Sequence, residues 1–126
     1  MRYKTKYTFE QRKVEAKKAL SKYSDRVPVI IERSERATIV PDIDRAKFLV
    51  PKDLHLSQLS AVIRSRAAIP TQHAIFLFVN DSVLASGSKT VGELYDTHSS
   101  ECGLLFVTYC DESTFGNRAK TVGVKS

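Results

Sequence analysis

Lys47-Phe48-Leu49-Val50-Pro51-Lys52-Asp53-Leu54-His55-Leu56-Ser57-Gln58-Leu59-Ser60-Ala61-Val62-Ile63 carries two periodicities in one stretch. Residues 47–51 read as a short strand. Leu56, Leu59, Val62 and Ile63 then recur at helical spacing, and Pro70 bars the helix from continuing. Before this stretch, Val27-Pro28-Val29-Ile30-Ile31 is a β-branched run, a strand whose proline sits near its start. Residues 34–45 are polar and contain Pro41, so they read as a loop, and a hairpin connection would make the two strands antiparallel. After the helix, residues 75–79 form a third strand closed by the turn pair Asn80-Asp81. Thr90-Val91-Gly92-Glu93 is a capping box opening a short helix through Tyr95, and residues 103–109 are a final apolar strand.

Two strands, a helix crossing one sheet face and two further strands predict an α+β, β-grasp domain with a four-stranded mixed sheet. A helical segment precedes it. Thr8-Phe9-Glu10-Gln11 is a capping box, because the Thr8 hydroxyl can accept from the Gln11 amide while Gln11 reaches back to the cap. Beyond it Phe9, Ala16, Leu20 and Tyr23 form one narrow apolar stripe, with Arg12, Lys13, Lys17, Lys18 and Lys22 largely outside it. Such a helix is expected to cover the other face of the sheet.

The 126 residues suit one globular domain, and the mixed composition excludes collagen, disulfide scaffolds and wholesale disorder. No window approaches the roughly 18 uncharged apolar residues of a membrane span. The net charge of +6 is uneven. Residues 1–26 hold nine Lys/Arg against three Asp/Glu, residues 27–116 hold eight against eleven, and residues 117–126 hold three against none. A mildly acidic body with a basic front helix and tail suggests an anionic membrane or an acidic peptide as partner; a solvated helix face is the plain alternative. No aromatic-interleaved basic strand or recognition helix points to nucleic acid, and none is expected as a partner.

Several motifs, in order, carry a family resemblance. They are Tyr23-Ser24-Asp25-Arg26-Val27-Pro28-Val29-Ile30, Asp42-Ile43-Asp44-Arg45, residues 47–51, Ile63-Arg64 with Arg66, residues 75–80, and Tyr109-Cys110-Asp111-Glu112-Ser113-Thr114-Phe115-Gly116. In this order and spacing the chain resembles the autophagy ubiquitin-like modifiers, the lipid-conjugated family that includes GABARAP and microtubule-associated protein light chain three. The resemblance spans roughly residues 3–116. It implies a helical extension over residues 1–24, a ubiquitin-like β-grasp over 25–116 and a removable tail over 117–126. It also implies a modifier without catalysis of its own. A processing cysteine protease would cut after Gly116, and activating and conjugating enzymes would carry the new carboxylate as an adenylate and thioesters to the amine of phosphatidylethanolamine. The chain would thus move from the cytoplasm to the autophagosome membrane. Glycine suits that acceptor, since without a Cβ it threads a narrow enzyme tunnel. Phe115 fits the family's tail, and Phe76 and Phe78 sit where the family meets its protease; strand alternation puts both on one face. Read alone, Phe-Gly before a polar end is an ordinary terminus. Two acyl chains meet the requirement for stable membrane anchoring.

The resemblance further implies receptors and adaptors with short aromatic-x-x-aliphatic motifs, bound by strand addition along residues 47–50. By position the aromatic pocket maps to Glu15, Ala19, Pro28, Ile30, Lys47, Leu49 and Leu104. The aliphatic pocket maps to Phe48, Val50, Pro51, Leu54, Leu59, Val62 and Ile63. Lys47 would hold acidic flanks, with Arg26 and Arg66 nearby. Ala19, Leu104 and Leu59 depart from residues common in relatives, and Ile30, Leu54 and Ile63 read equally well as core.

An enzyme is not indicated. His55, His73 and His98 are scattered, no metal-binding His pair or nucleophile elbow is present, and no cofactor is implied. Cys102 and Cys110, read as one strand, would share a face about 26 Å apart, as reduced cytosolic thiols. The rival reading is a non-conjugated β-grasp module that binds peptides or membranes and keeps its tail; an electrostatic membrane or RNA binder comes third.

Overall fold

The chain pairs its first strand with its last at the centre of the sheet. β1 (Arg26–Arg33) lies parallel to β5 (Leu105–Asp111), and the other pairings are antiparallel. The computed structural model describes residues 2–37 and 39–111. In chain order, α1 (Arg2–Lys6) and α2 (Phe9–Lys22) precede β1; β2 (Lys47–Pro51), α3 (Leu56–Arg66), β3 (Ile75–Val79), β4 (Val83–Leu84) and α4 (Val91–His98) precede β5. The sheet order is β2-β1-β5-β3-β4, the predicted mixed β-grasp with one strand more than expected. That fifth strand is two residues long and, among the described residues, pairs only with β3. It follows from the turn at Asn80 and Asp81, whose φ angles of 53° and 57° give the left-handed pair that joins twisted strands tightly.

The capping boxes behave as read. At α2 the Gln11 amide donates to Thr8 Oγ1 at 3.2 Å, and the Thr8 amide donates to Gln11 Oε1 at 2.8 Å. The reciprocal pair at α4 joins Thr90 and Glu93. α4 runs on to His98, past the expected end at Tyr95.

α3 and α4 bury Leu56, Leu59, Ile63, Val91 and Leu94 in the main core with Val27, Val29, Ile31, Val107 and Tyr109. α2 covers the other face and forms a thin second cluster of Ala16, Ile30, Cys102, Leu104 and Phe106. Here the sequence expectation holds only in part: the helix covers this face and Ala16 of the expected stripe is buried, but its larger members are not. Phe9 and Leu20 are 41% and 40% exposed, and the buried positions are the alanines Ala16 and Ala19. The reason is close approach: at Gly103, with φ +94°, a Cβ would stand 3.0 Å from the Ala16 Cβ. Small residues let the helix sit down on the sheet, and the larger ones fall to its flank.

Periodicity does not mark α1 as a separate helix, since it has no apolar repeat and no fully buried residue, although it falls within the helical extension over residues 1–24 that the resemblance implies. Polar contacts hold it, together with the Tyr3 ring packed beside Phe106. The Tyr3 amide donates to Glu32 Oε2 at 2.9 Å, and Arg2 pairs with Asp42 at 2.9 Å. The Arg12 guanidinium donates to the carbonyls of Lys4 and Tyr7 near the helix end. Cys102 lies in the turn before β5, so the single-strand reading of the thiols is overturned. Both are buried, in different apolar clusters.

Candidate functional site

β2 is bonded on one side to β1, and among the described residues its other edge pairs with nothing. Its unmatched amides and carbonyls form a template for another strand. Register and alternation assign its two faces. Lys47 and Leu49 stand opposite Ile30 and Pro28 on the α2 side, while Phe48 and Val50 stand opposite Val29 and Val27 on the α3 side. The two expected pockets therefore lie on opposite faces of one edge.

On the α2 side a cleft of about 210 Å³ is bounded by Glu15, Ala19, Lys47 and Leu49, with Lys18, Lys22 and Tyr23. The last three were missed in the sequence, although helical spacing from Glu15 and Ala19 carries them. Pro28, Ile30 and Leu104 are buried, the latter two completely, and belong to the packing beneath the surface. Lys47 Nζ meets Glu15 Oε2 at 2.6 Å, and this hydrogen bond holds the Glu15 carboxyl below its usual range. Lys47 is thus already paired where an acidic flank was expected to meet it. Arg26 is exposed, with its guanidinium 5.6 Å from the Tyr23 ring.

On the α3 side Phe48, Pro51 and Leu54 are half-buried, and Val62 is 40% exposed. Val50, Leu59 and Ile63 are closed into the core and can contribute only a floor. Arg66 lies 5.9 Å from the Phe48 ring and pairs with Asp44 at 3.3 Å. Arg45, quoted among the motifs but not assigned to the groove, lies 5.6 Å from the same ring. Two guanidinium groups therefore flank Phe48 and make this end of the edge cationic.

Phe76 and Phe78 share a face of β3, but Phe78 is 4% exposed and packs in the main core, while Phe76 is half-buried. Phe115 and Gly116 lie outside the described residues. The strand leading toward them is well anchored: Asp111 Oδ2 accepts the amides of Ile39 at 2.6 Å and Val40 at 3.4 Å. Among the described residues no three His, Cys, Asp or Glu side chains gather as a metal site. No described helix is long and apolar enough to cross a membrane.

A family model described as "Autophagy protein Atg8 ubiquitin like" matches residues 11–116. Autophagy-related protein 8 of Mycosarcoma maydis is 44% identical over 114 residues, covering 90% of this chain and 95% of that protein. The protein of the same name from Vanderwaltozyma polyspora is 43% identical over 115 residues, covering 91% and 96%. Among solved structures, Trypanosoma brucei ATG8 superposes with a TM-score of 0.83 at 33% identity, covering 89% of this chain and 95% of that one.

Proposed function

Since the chain belongs to the Atg8 family of autophagy ubiquitin-like proteins, we propose that it is a conjugated modifier that recruits receptors along its β2 edge. The observation that carries the recruiting half is that open edge, with an apolar approach on each face. In an extended peptide, residues three apart point to opposite sides. An aromatic-x-x-aliphatic motif paired with β2 thus sends its aromatic ring into the cleft beside Lys47 and Leu49. Its aliphatic side chain passes to the α3 side, toward Phe48, Pro51 and Leu54. That order makes the peptide run parallel to β2.

The conjugating half is supported by the family match, which extends through residue 116, a glycine. A cysteine protease hydrolyses the bond between Gly116 and Asn117. The freed carboxylate attacks the α-phosphate of ATP, releasing pyrophosphate. The acyl group passes to an enzyme thiolate with release of AMP, and then to the amine of phosphatidylethanolamine. The chain supplies the acyl group and no catalytic residue. The processed form is cytoplasmic and the lipidated form sits on the autophagosome membrane.

Mass spectrometry of the full chain after incubation with cell extract tests this. A product ending at Gly116 is expected, and Gly116→Ala should abolish it while leaving binding of an aromatic-x-x-aliphatic peptide unchanged. A chain that stays intact, with peptide binding retained, returns the protein to the class of non-conjugated β-grasp modules.

A further inference from the structure

The connection from β1 to β2 presents an isoleucine to solvent. Ile39 is 53% exposed, while Ala37 and Val40 on either side of it are closed into the main core. A single apolar side chain at the surface is ordinary. This one differs in how its backbone is held and in where it stands.

β5 does the holding. Asp111 is 1% exposed, and its Oδ2 accepts the amides of both Ile39 and Val40. The Tyr109 hydroxyl donates to the Pro41 carbonyl, and the Tyr109 carbonyl accepts the Ser34 amide at 2.8 Å. The connection is therefore tied to the last two described residues of its neighbour that matter here, once by a buried carboxylate, whose hydrogen bonds are the stronger kind. An apolar side chain on a backbone fixed in this way has little order left to gain when a partner covers it.

Chain length decides the place. Asp111 is the last described residue, and Gly116 follows five positions later. Five residues reach at most about 17 Å. Even a small domain is about 30 Å across. An enzyme that grips the residues ahead of Gly116 thus stands over the end of β5 and over the loop bonded to it. We infer that Ile39 is a docking residue for the processing cysteine protease, received by an apolar depression within about 17 Å of the enzyme's thiol. The inference rests on the reading of Gly116 as the cleavage point. Ile39 touches no reacting atom and acts by positioning. Its contact is equally strong before and during bond cleavage, so it enters KM and leaves kcat alone. The tail supplies the bond to be cut, and Ile39 identifies the body that carries it.

The test measures initial rates of cleavage of the full chain by a fixed amount of cell extract over a range of substrate concentrations. Ile39→Ser is expected to raise KM about tenfold at an unchanged maximal rate, the effect of leaving one aliphatic anchor unfilled. Ile39→Lys should raise it at least as much, and Ile39→Val should stay within about twofold of the wild type. Val14→Ser, at a similarly exposed position of α2, should be cut like the wild type. Binding is read separately: Gly116→Ala should compete with wild-type cleavage, and adding Ile39→Ser to it should weaken that competition about tenfold. Being at the surface, the Ile39 variants should keep the wild-type unfolding midpoint. An unchanged KM in the Ser and Lys variants overturns the inference, as does a rise that appears only with a lowered midpoint. A fall in maximal rate alone, or an equal rise in Val14→Ser, overturns it too. If the wild-type chain is not cut at Gly116 at all, the cleavage reading falls first and takes the inference with it.

Discussion

The two faces of the sheet are covered by opposite means. Under α3 and α4 the cover is apolar and continuous, with Leu56, Leu59, Ile63 and Leu94 interlocking with the strands. Under α1 and α2 it is two alanines of α2, a short row from β1 and the approach to β5, and a five-residue helix with no fully buried residue that adds polar contacts and the half-buried Tyr3 ring. The first face stores stability, because each buried aliphatic side chain leaves water and gains close packing. The second stores little, and two cavities around Glu32 and the cleft beside Lys47 lie on it. Open clefts are thus concentrated on the face that contributes least to holding the fold together, while the β2 edge between the faces borders both.

This contrast fails if substitutions on the two faces cost the same. The largest loss is expected at Ile63→Ala, fully buried under α3, at about 2–5 kcal/mol by denaturant unfolding. Next comes Tyr109, which is fully buried and donates through its hydroxyl to the Pro41 carbonyl at 2.7 Å. Burial first, then the Asp42 charge, push its pKa up to about 12. The fold favours the neutral phenol, so this stability is intact below the ordinary value near 10 and lost as pH rises from there toward 12. Up to about 2–3 kcal/mol should disappear across that window in pH-dependent unfolding, and the loss should be absent in Tyr109→Phe. On the thinner face, Gly103→Ala forces a left-handed residue against Ala16 and should cost about 1–3 kcal/mol, read as a lowered unfolding midpoint.

The smallest effect sharpens the comparison most. Glu15→Gln removes the partner of Lys47, but both groups are over a third exposed, so the loss in stability should stay below about 1 kcal/mol. Its carboxyl is held low by Lys47, so the contribution is present above the usual carboxylate range and fades as pH falls through the depressed value. The readout that should move is peptide selectivity: acidic flanks gain affinity in Glu15→Gln because Lys47 is released. If stability drops sharply and selectivity does not change, the pair belongs to the scaffold and not to the site.

Much of this was legible in the residues. The stretch from Lys47 to Ile63 announces strand and helix because periods of 2 and 3.6 need no partner to be recognised. The boxes at Thr8 and Thr90 mark helix starts because their hydrogen bonds are local. The open edge, both faces of its approach, and Glu15, Lys47 and Phe48 upon it were also within reach. What was misread shares one trait, dependence on distant groups. α1 exists through Glu32, Arg12 and Asp42; β4 exists only as a partner for β3. α2 turns its alanines inward because Gly103 allows close approach, although Phe9 and Leu20 are the more apolar residues.

The sequence by itself therefore determined the α+β class, the order of the main elements, and the family to which the chain belongs, since local periodicity and motif spacing are properties of neighbouring residues. Tertiary structure alone decided which side of α2 is buried, that Lys47 is already paired, that Val50, Leu59 and Ile63 are floor and not surface, and that Asp111 holds the loop carrying Ile39. Each of these depends on how closely elements far apart in the chain pack, and no local pattern of residues records that distance.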